Sequence, residues 1–338
     1  MTRFALLSGA AFMALALPLQ AETKLTVANW LPPSHPLVAN LVVPMTEAIS
    51  QATNGEVTAT ILPAPLGPPG AHFDFAVNGV ADITFGVQGY NPGRFKTTNI
   101  VELPFLGNSA EAISVAYWRT FDKMLRDAGE YDNVKVLAVF AHGPGEVFFK
   151  GGDVGGVDAL KGRKIRVGGG IVHEVVSALG GVPVEGPSSK SYELLSQGVA
   201  DGITFPYESV AFFNLIPQLD QAIDVDGGLF NTSFYIVMNK AKWNSLTPEQ
   251  QDAIDRVTGE ALARKAGQMW DGADAEGRAK MDGKIDIVPA SAAQMAAWKE
   301  ALQPLVDAKL SEAAEAGIDA GAAYDMLQSE IAAESGEK

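Results

Sequence analysis

The sequence predicts an α/β protein built as two similar domains around a shared crevice. Three observations carry that prediction. The chain has 338 residues, a length that supports about two domains. A short run, Gly79-Val-Ala-Asp-Ile-Thr-Phe85, returns as Gly198-Val-Ala-Asp-Gly-Ile-Thr-Phe205 with one glycine inserted. Each copy also closes the same order of elements, strand, helix, strand, helix, strand.

In the first half, an apolar strand at 24–28 leads through a Pro-rich loop into an apolar-periodic helix at about 37–53. A second strand follows at 57–62. After it come a Pro/Gly-rich loop and a short amphipathic helix at 73–78, stopped by Gly79. The second half repeats this with a strand at 164–168, a helix carrying Ile171, Val172, Val175, Val176 and Leu179 on one face, a strand at 182–184 and a short helix at 192–197 stopped by Gly198. A glycine there accepts the left-handed backbone that ends a helix. Strands joined by helices form a largely parallel sheet with right-handed crossovers. Two such sheets side by side place the C-terminal ends of their strands around one crevice, where open α/β sheets hold ligands. The loops expected to line it are 29–36, 86–91, 141–145, 168–170 and 204–208.

Later, Thr247-Pro-Glu-Gln250 is a capping box with proline at the first helical position. It opens either one long helix, softened by Gly259, Gly267, Gly272 and Gly277 so that it bends between domains, or two separate surface helices. The Ala/Glu-rich stretch from Ser291 predicts one or two packing helices and a frayed tail at 334–338. At the other end, residues 1–21 read as a cleaved secretory signal. Arg3 precedes an apolar run too short for a comfortable membrane span, and Ala21 supplies the small residue before the cut.

Composition narrows the function. The net charge of −15 argues against a nucleic-acid binder, because nothing would neutralise phosphates. The absence of cysteine removes disulfides, thiol catalysis and thiolate metal sites. His173-Glu-Val-Val-Ser177 lacks the second histidine of a zinc helix. Gly181-Val-Pro-Val-Glu-Gly186-Pro187 has proline where a phosphate loop needs lysine, and Gly168-Gly-Gly170 is not a dinucleotide fingerprint. No metal or cofactor is therefore expected, and no nucleophile elbow or acid–base carboxylate pair is visible. His35, His72 and His142 read as loop or cleft hydrogen-bonders. What Gly168–Gly170 does offer is bare N–H groups ahead of a helix N-terminus, an environment that favours an anion.

Arg166 stands out for that reason. It lies in an apolar strand two residues before the glycines. A charge in that position needs a partner. The partner is either an internal acid or, at a crevice, the carboxylate of a ligand, whose geometry the planar guanidinium fork matches. Trp30, Tyr90, Phe205, Tyr207, Phe230 and Phe234 fall on or near the same loops, either as core or as ligand walls.

The run Asp158-Ala-Leu-Lys-Gly-Arg-Lys-Ile-Arg-Val167, then Ala178-Leu-Gly-Gly-Val-Pro-Val184, then Tyr192-Glu-Leu-Leu-Ser-Gln-Gly-Val-Ala-Asp-Gly202 closely resembles the DctP-type solute-binding proteins of TRAP transporters. Trp243-Asn-Ser-Leu-Thr-Pro-Glu-Gln250 is similar to that family's entry to a long interdomain helix. The resemblance covers essentially the whole chain after the leader. It implies a periplasmic-binding-protein-like fold of type II topology with a long helix bridging the domains. Domain I is expected over 22–143 plus about 228–262, and domain II over 144–227 plus about 263–338. The resemblance implies a periplasmic protein, not an enzyme, that closes over a small organic acid and delivers it to the small and large membrane subunits of a TRAP permease. It also implies that Arg166, at the end of Lys-Ile-Arg, clamps the ligand carboxylate.

Three residues beyond Asp201-Gly202, where relatives often carry Asn, this chain has Phe205, and Val87 replaces a polar residue of some relatives. The favoured ligand is accordingly a monocarboxylate with an apolar or aromatic body, held by Arg166 and flanked by Trp30, Phe205 and Tyr207. The alternative is an aliphatic oxo- or hydroxy-acid with His142, Gln88 and Asn231 as polar partners. More remote readings are a periplasmic lyase or hydrolase on the same scaffold, and a site assisted by a cation near Glu208.

Overall fold

The computed structural model describes residues 22–336, so the expected leader at 1–21 lies outside the described residues. The first half of the chain forms β1 (Thr23–Ala28), a π-type turn (Val38–Val42) running into α1 (Val43–Ala52), β2 (Val57–Ile61), α2 (His72–Val77) and β3 (Ile83–Val87). It continues with α3 (Ala110–Thr120) and β4 (Val134–Ala141). The second half forms β5 (Glu146–Phe149), β6 (Lys164–Val167), α4 (Ile171–Ala178), β7 (Val182–Glu185), α5 (Ser191–Ser196), β8 (Gly202–Phe205), α6 (Tyr207–Phe212) and β9 (Gln221–Asp224). The chain then returns through β10 (Ser233–Asn239), α7 (Lys240–Asn244), α8 (Pro248–Val257) and α9 (Glu260–Met281), and ends in β11 (Asp286–Pro289), α10 (Ala292–Glu315) and α11 (Ala320–Ser335).

These strands make two sheets, ordered β2-β1-β3-β10-β4 and β11-β9-β5-β8-β6-β7. With its helices, each sheet forms a lobe of the same plan. β1, β2 and β3 pair in parallel, as do β6, β7 and β8. Each sheet also holds one antiparallel strand that has crossed from the other lobe. β10 lies between β3 and β4 in the first, and β5 lies between β8 and β9 in the second. The chain thus passes between lobes at β4–β5 and at β9–β10, and α9 makes a third passage.

The repeated run has one structural meaning in both lobes. Gly79 and Gly198 adopt φ of +68° and +69°, ending α2 and α5. The aspartate that follows ties the lobe's third strand to its first. The Asp82 carboxylate accepts from the Thr26 N–H (2.7 Å) and hydroxyl (2.9 Å), and the Asp201 carboxylate accepts from the Lys164 N–H (3.0 Å). β3 and β8 are buried throughout.

The break in the late helical region falls at a single glycine. α8 ends before Gly259, which takes φ +61°, and α9 runs unbroken through Gly267, Gly272 and Gly277. Those glycines do not soften the helix, as the sequence suggested; two of them let it pack closely. A Cβ at Gly267 would overlap the backbone of Ala110 and Glu111 in α3, and one at Gly277 would stand 2.7 Å from the Tyr207 carbonyl in α6. α9 is therefore pressed against both lobes. α10 packs on α4 in the second lobe and on the first-lobe turn Thr98–Glu102, whereas α11 packs on α3 of the first. The tail expected to belong wholly to domain II spans both lobes. Among the described residues no helix is long and apolar enough to cross a membrane.

Candidate ligand-binding site

The C-terminal ends of β1, β3 and β4 face those of β6 and β8 across a cavity of about 560 Å³, counting its mouth. Both lobes and α9 line it. Arg166, on β6, reaches it from the second lobe and is 1% exposed. Its Nε–H and one Nη2–H donate to the Gly186 carbonyl (3.0 and 2.6 Å), and one Nη1–H points to the Thr204 carbonyl at 3.5 Å. A guanidinium has five N–H groups, so one hydrogen on each terminal nitrogen is left over. Among the described residues no carboxylate pairs with it. Burial pulls its pKa below the usual arginine value, with the neighbouring Tyr90 oxygen opposing the shift. A buried, carbonyl-oriented, unneutralised cation is a seat for an anion.

The walls are mostly rings. Phe205 lies under the guanidinium, 4.4 Å from its carbon to the ring centroid, and stacks on Phe213 at 5.9 Å. From the first lobe, Trp30 donates its indole N–H to the Phe85 carbonyl (3.1 Å), which fixes the ring, and meets Tyr90 edge-on at 5.9 Å. Phe230, Phe234 and Trp270 complete the apolar side, with Val87 among them. Tyr90, in the turn Gln88–Tyr90 after β3, accepts the Ser188 N–H of the second lobe at 3.0 Å.

His142 also lines the cavity. Its Nδ1 sits 2.6 Å from the Gly143 carbonyl, which can only accept, so Nδ1 carries the proton and Nε2 is left as an acceptor. Burial holds its pKa down at about 4, keeping the ring neutral. His35 behaves alike, pushed to about 4 by burial, with Nδ1 accepting from Leu37 N–H at 3.1 Å. His72 is buried away from the cavity.

Three of the expected site residues are elsewhere. Tyr207 turns its hydroxyl to Arg278 (2.6 Å) and packs on Phe148, away from the cavity. Gln88 spends its amide in a buried network, donating to the hydroxyls of Tyr117 (2.6 Å) and Tyr131 (2.5 Å) and accepting from Ser233 (2.7 Å). Asn231 points its amide at the Val101 carbonyl, although its neighbours Phe230 and Thr232 do line the cavity. In each case a local polar partner on another element captures a side chain whose direction the sequence could not show.

The anion-favouring N-terminus of α4 is also taken. The Glu102 carboxylate of the first lobe accepts from Ile171 N–H (3.3 Å) and from Ser233 N–H (3.0 Å), and lies 2.5 Å from the Ser233 hydroxyl oxygen. Glu208 faces Ser209 (2.7 Å) and His35 (3.7 Å) and does not line the cavity. Among the described residues no group of three His, Asp or Glu could hold a metal ion. Sequence reasoning missed Phe213 and the cavity-facing position of Trp270 on α9. The only signal for Trp270 was its place on the apolar face of a helix expected to pass between domains.

A family model described as bacterial extracellular solute-binding protein, family 7 (DctP), matches residues 27–313. A solved TRAP periplasmic solute-binding protein from Bordetella bronchiseptica, with bound (R)- and (S)-mandelate, is 39% identical, covers 92% of this chain and 99% of that one, and superposes with a TM-score of 0.90. A marine metagenome TRAP solute-binding protein from an unidentified microbe, specific for aromatic acid ligands and holding 3-hydroxybenzoate, is 33% identical over 93% of this chain and 99% of that one, at a TM-score of 0.86. TsaT of Comamonas testosteroni, named an outer membrane transporter protein, is 30% identical over 331 residues, 97% of this chain and 98% of the relative.

Proposed function

Because this chain belongs to the DctP family of bacterial extracellular solute-binding proteins, we propose that it captures a small aromatic monocarboxylate between its two lobes for a TRAP permease. The observation that carries the reading is Arg166, a buried cation with a hydrogen left over on each terminal nitrogen and, among the described residues, no acid partner, facing a cavity walled by rings. The carboxylate takes the two free N–H groups as a fork, and the aromatic body lies among Phe205, Trp30 and the rings beyond. Two relatives carry mandelate and 3-hydroxybenzoate, acids of that description.

The magnitudes suit a micromolar binder, which needs about −8 kcal/mol. Burying a ring of roughly 150–200 Å² contributes about 4–5 kcal/mol. Two charge-assisted hydrogen bonds contribute about 1.5–3 kcal/mol each, and the loss of ligand freedom offsets part of the sum. An aliphatic oxo- or hydroxy-acid is disfavoured, because Gln88 and Asn231, two of its three expected polar partners, are engaged elsewhere. The third, His142, offers one acceptor, which suits a hydroxyl carried on an aromatic acid.

Ligand bridging the lobes favours the closed arrangement over an open one. The lobes divide near residues 143–144 and 227–228, where the chain crosses between sheets, and hinge there and along α9. The protein works in the periplasm as a carrier that releases its ligand unchanged to the small and large permease subunits. Titration of benzoate into the exported chain and into Arg166→Ala tests this. Wild type is expected to bind in the micromolar range and the variant to lose at least about 10-fold; equal affinity would remove Arg166 from the site.

A further inference from the structure

Tyr90 has a hydroxyl whose own hydrogen finds no acceptor among the described residues. Its oxygen accepts the Ser188 N–H at 3.0 Å and stands beside the Arg166 guanidinium. The ring edge and the guanidinium converge on the same glycine, since a Cβ at Gly168 would meet Arg166 Nη2 at 3.7 Å and Tyr90 Cε1 at 3.8 Å. Both polar neighbours of the hydroxyl are N–H donors without a lone pair. Neither can receive the phenolic hydrogen, and among the described residues no acceptor takes it. The remaining direction is the cavity, which Tyr90, Arg166 and Ser188 line together.

We infer that Tyr90 donates its O–H to the ligand carboxylate and clasps the two lobes together at that point. The inference rests on the reading of an Arg166-held carboxylate and adds a second hand to it. Arg166 belongs to the second lobe, and Tyr90, following β3, to the first. The Tyr90–Ser188 hydrogen bond exists only when the lobes are closed, and it turns the phenolic hydrogen toward the place where the carboxylate lies. The anion is therefore gripped from both sides only in the closed form. The ligand's charge, and not its ring alone, selects closure. A ring-shaped ligand without a carboxylate would fill the same walls but leave the clasp unmade.

Tyr90→Phe keeps the ring against Trp30 and removes both the donor and the acceptor for Ser188. Benzoate affinity of Tyr90→Phe is expected to fall about 10- to 100-fold, mainly through faster release, with the ligand-free unfolding midpoint unchanged. Scattering with saturating benzoate should show compaction of the wild type and less of Tyr90→Phe. Should Tyr90→Phe disturb the fold, Ser188→Pro, which removes the N–H that the phenol accepts along with the serine hydroxyl, is expected to speed benzoate release more than Ser188→Ala, which keeps that N–H; equal release from the two variants would overturn the clasp. Wild-type affinity in Tyr90→Phe, alongside loss of binding in Arg166→Ala, would overturn the clasp and leave the carboxylate reading standing. No binding of any aromatic carboxylate by the wild type would overturn both.

Discussion

Alanine at two glycines of α9 should move stability in opposite directions. Both Gly272 and Gly277 sit inside the same 22-residue helix, where alanine is favoured by about 1 kcal/mol on propensity alone. At Gly272 the added methyl meets nothing within 4 Å. At Gly277 it would stand 2.7 Å from the carbonyl carbon and oxygen of Tyr207 and the nitrogen of Glu208. Those are backbone atoms of α6 and cannot swing aside as a side chain would. Overpacking of that kind costs about 1–3 kcal/mol. Gly272→Ala is therefore expected to stabilise by about 1 kcal/mol and Gly277→Ala to destabilise by about 0–2 kcal/mol. Paired urea titrations followed by tryptophan fluorescence measure the difference. Gly277→Ala should also weaken ligand binding, because pushing α9 off α6 shifts Trp270 at the cavity wall. Equal stabilisation by both substitutions would refute the view that Gly277 exists for close approach between α9 and the second lobe.

Two further predictions concern buried polar groups. Burial pushes Glu208 up to about 7. A carboxyl that holds its proton more tightly when folded makes stability fall as pH rises from about 4.5 to about 7. Glu208→Gln should then be more stable than wild type at pH 8, by on the order of 3 kcal/mol at most, and lose the advantage below about pH 4.5; thermal melts across pH check it, and parallel profiles would contradict it. His142→Phe removes the Nε2 acceptor while preserving an aromatic wall. Its affinity for mandelate should drop roughly 3- to 10-fold relative to its affinity for phenylacetate, measured by calorimetric titration of the two acids.

Much of this architecture could be read from the residues, and the reasons are local. The twin glycines and aspartates of the repeated run appear in both lobes because the same turn and the same tie to a neighbouring strand are built twice, at Gly79 and Asp82 and at Gly198 and Asp201. Arg166 was conspicuous because a charge in an apolar strand demands an explanation. The crossing strands β5 and β10 were not legible, since each pairs with strands far away in the chain, as in Phe234 with Val87 and Val147 with Ile223. Side-chain direction was equally hidden. Tyr207, Gln88 and Asn231 lie on cavity-side segments, yet Arg278, Tyr117 and the Val101 carbonyl draw them away. Gly277 looked like a weak point in a helix because the element it touches, α6, is distant in sequence.

The most direct test of the account is a crystal structure of the exported chain grown with benzoate. The carboxylate is predicted to lie about 2.8–3.0 Å from both terminal nitrogens of Arg166, with the ring beside Phe205 and Trp30 and the Gly186 contacts of the guanidinium retained. A carboxylate seated on any other cation, with Arg166 bonded only to Gly186 and Thr204, would contradict it.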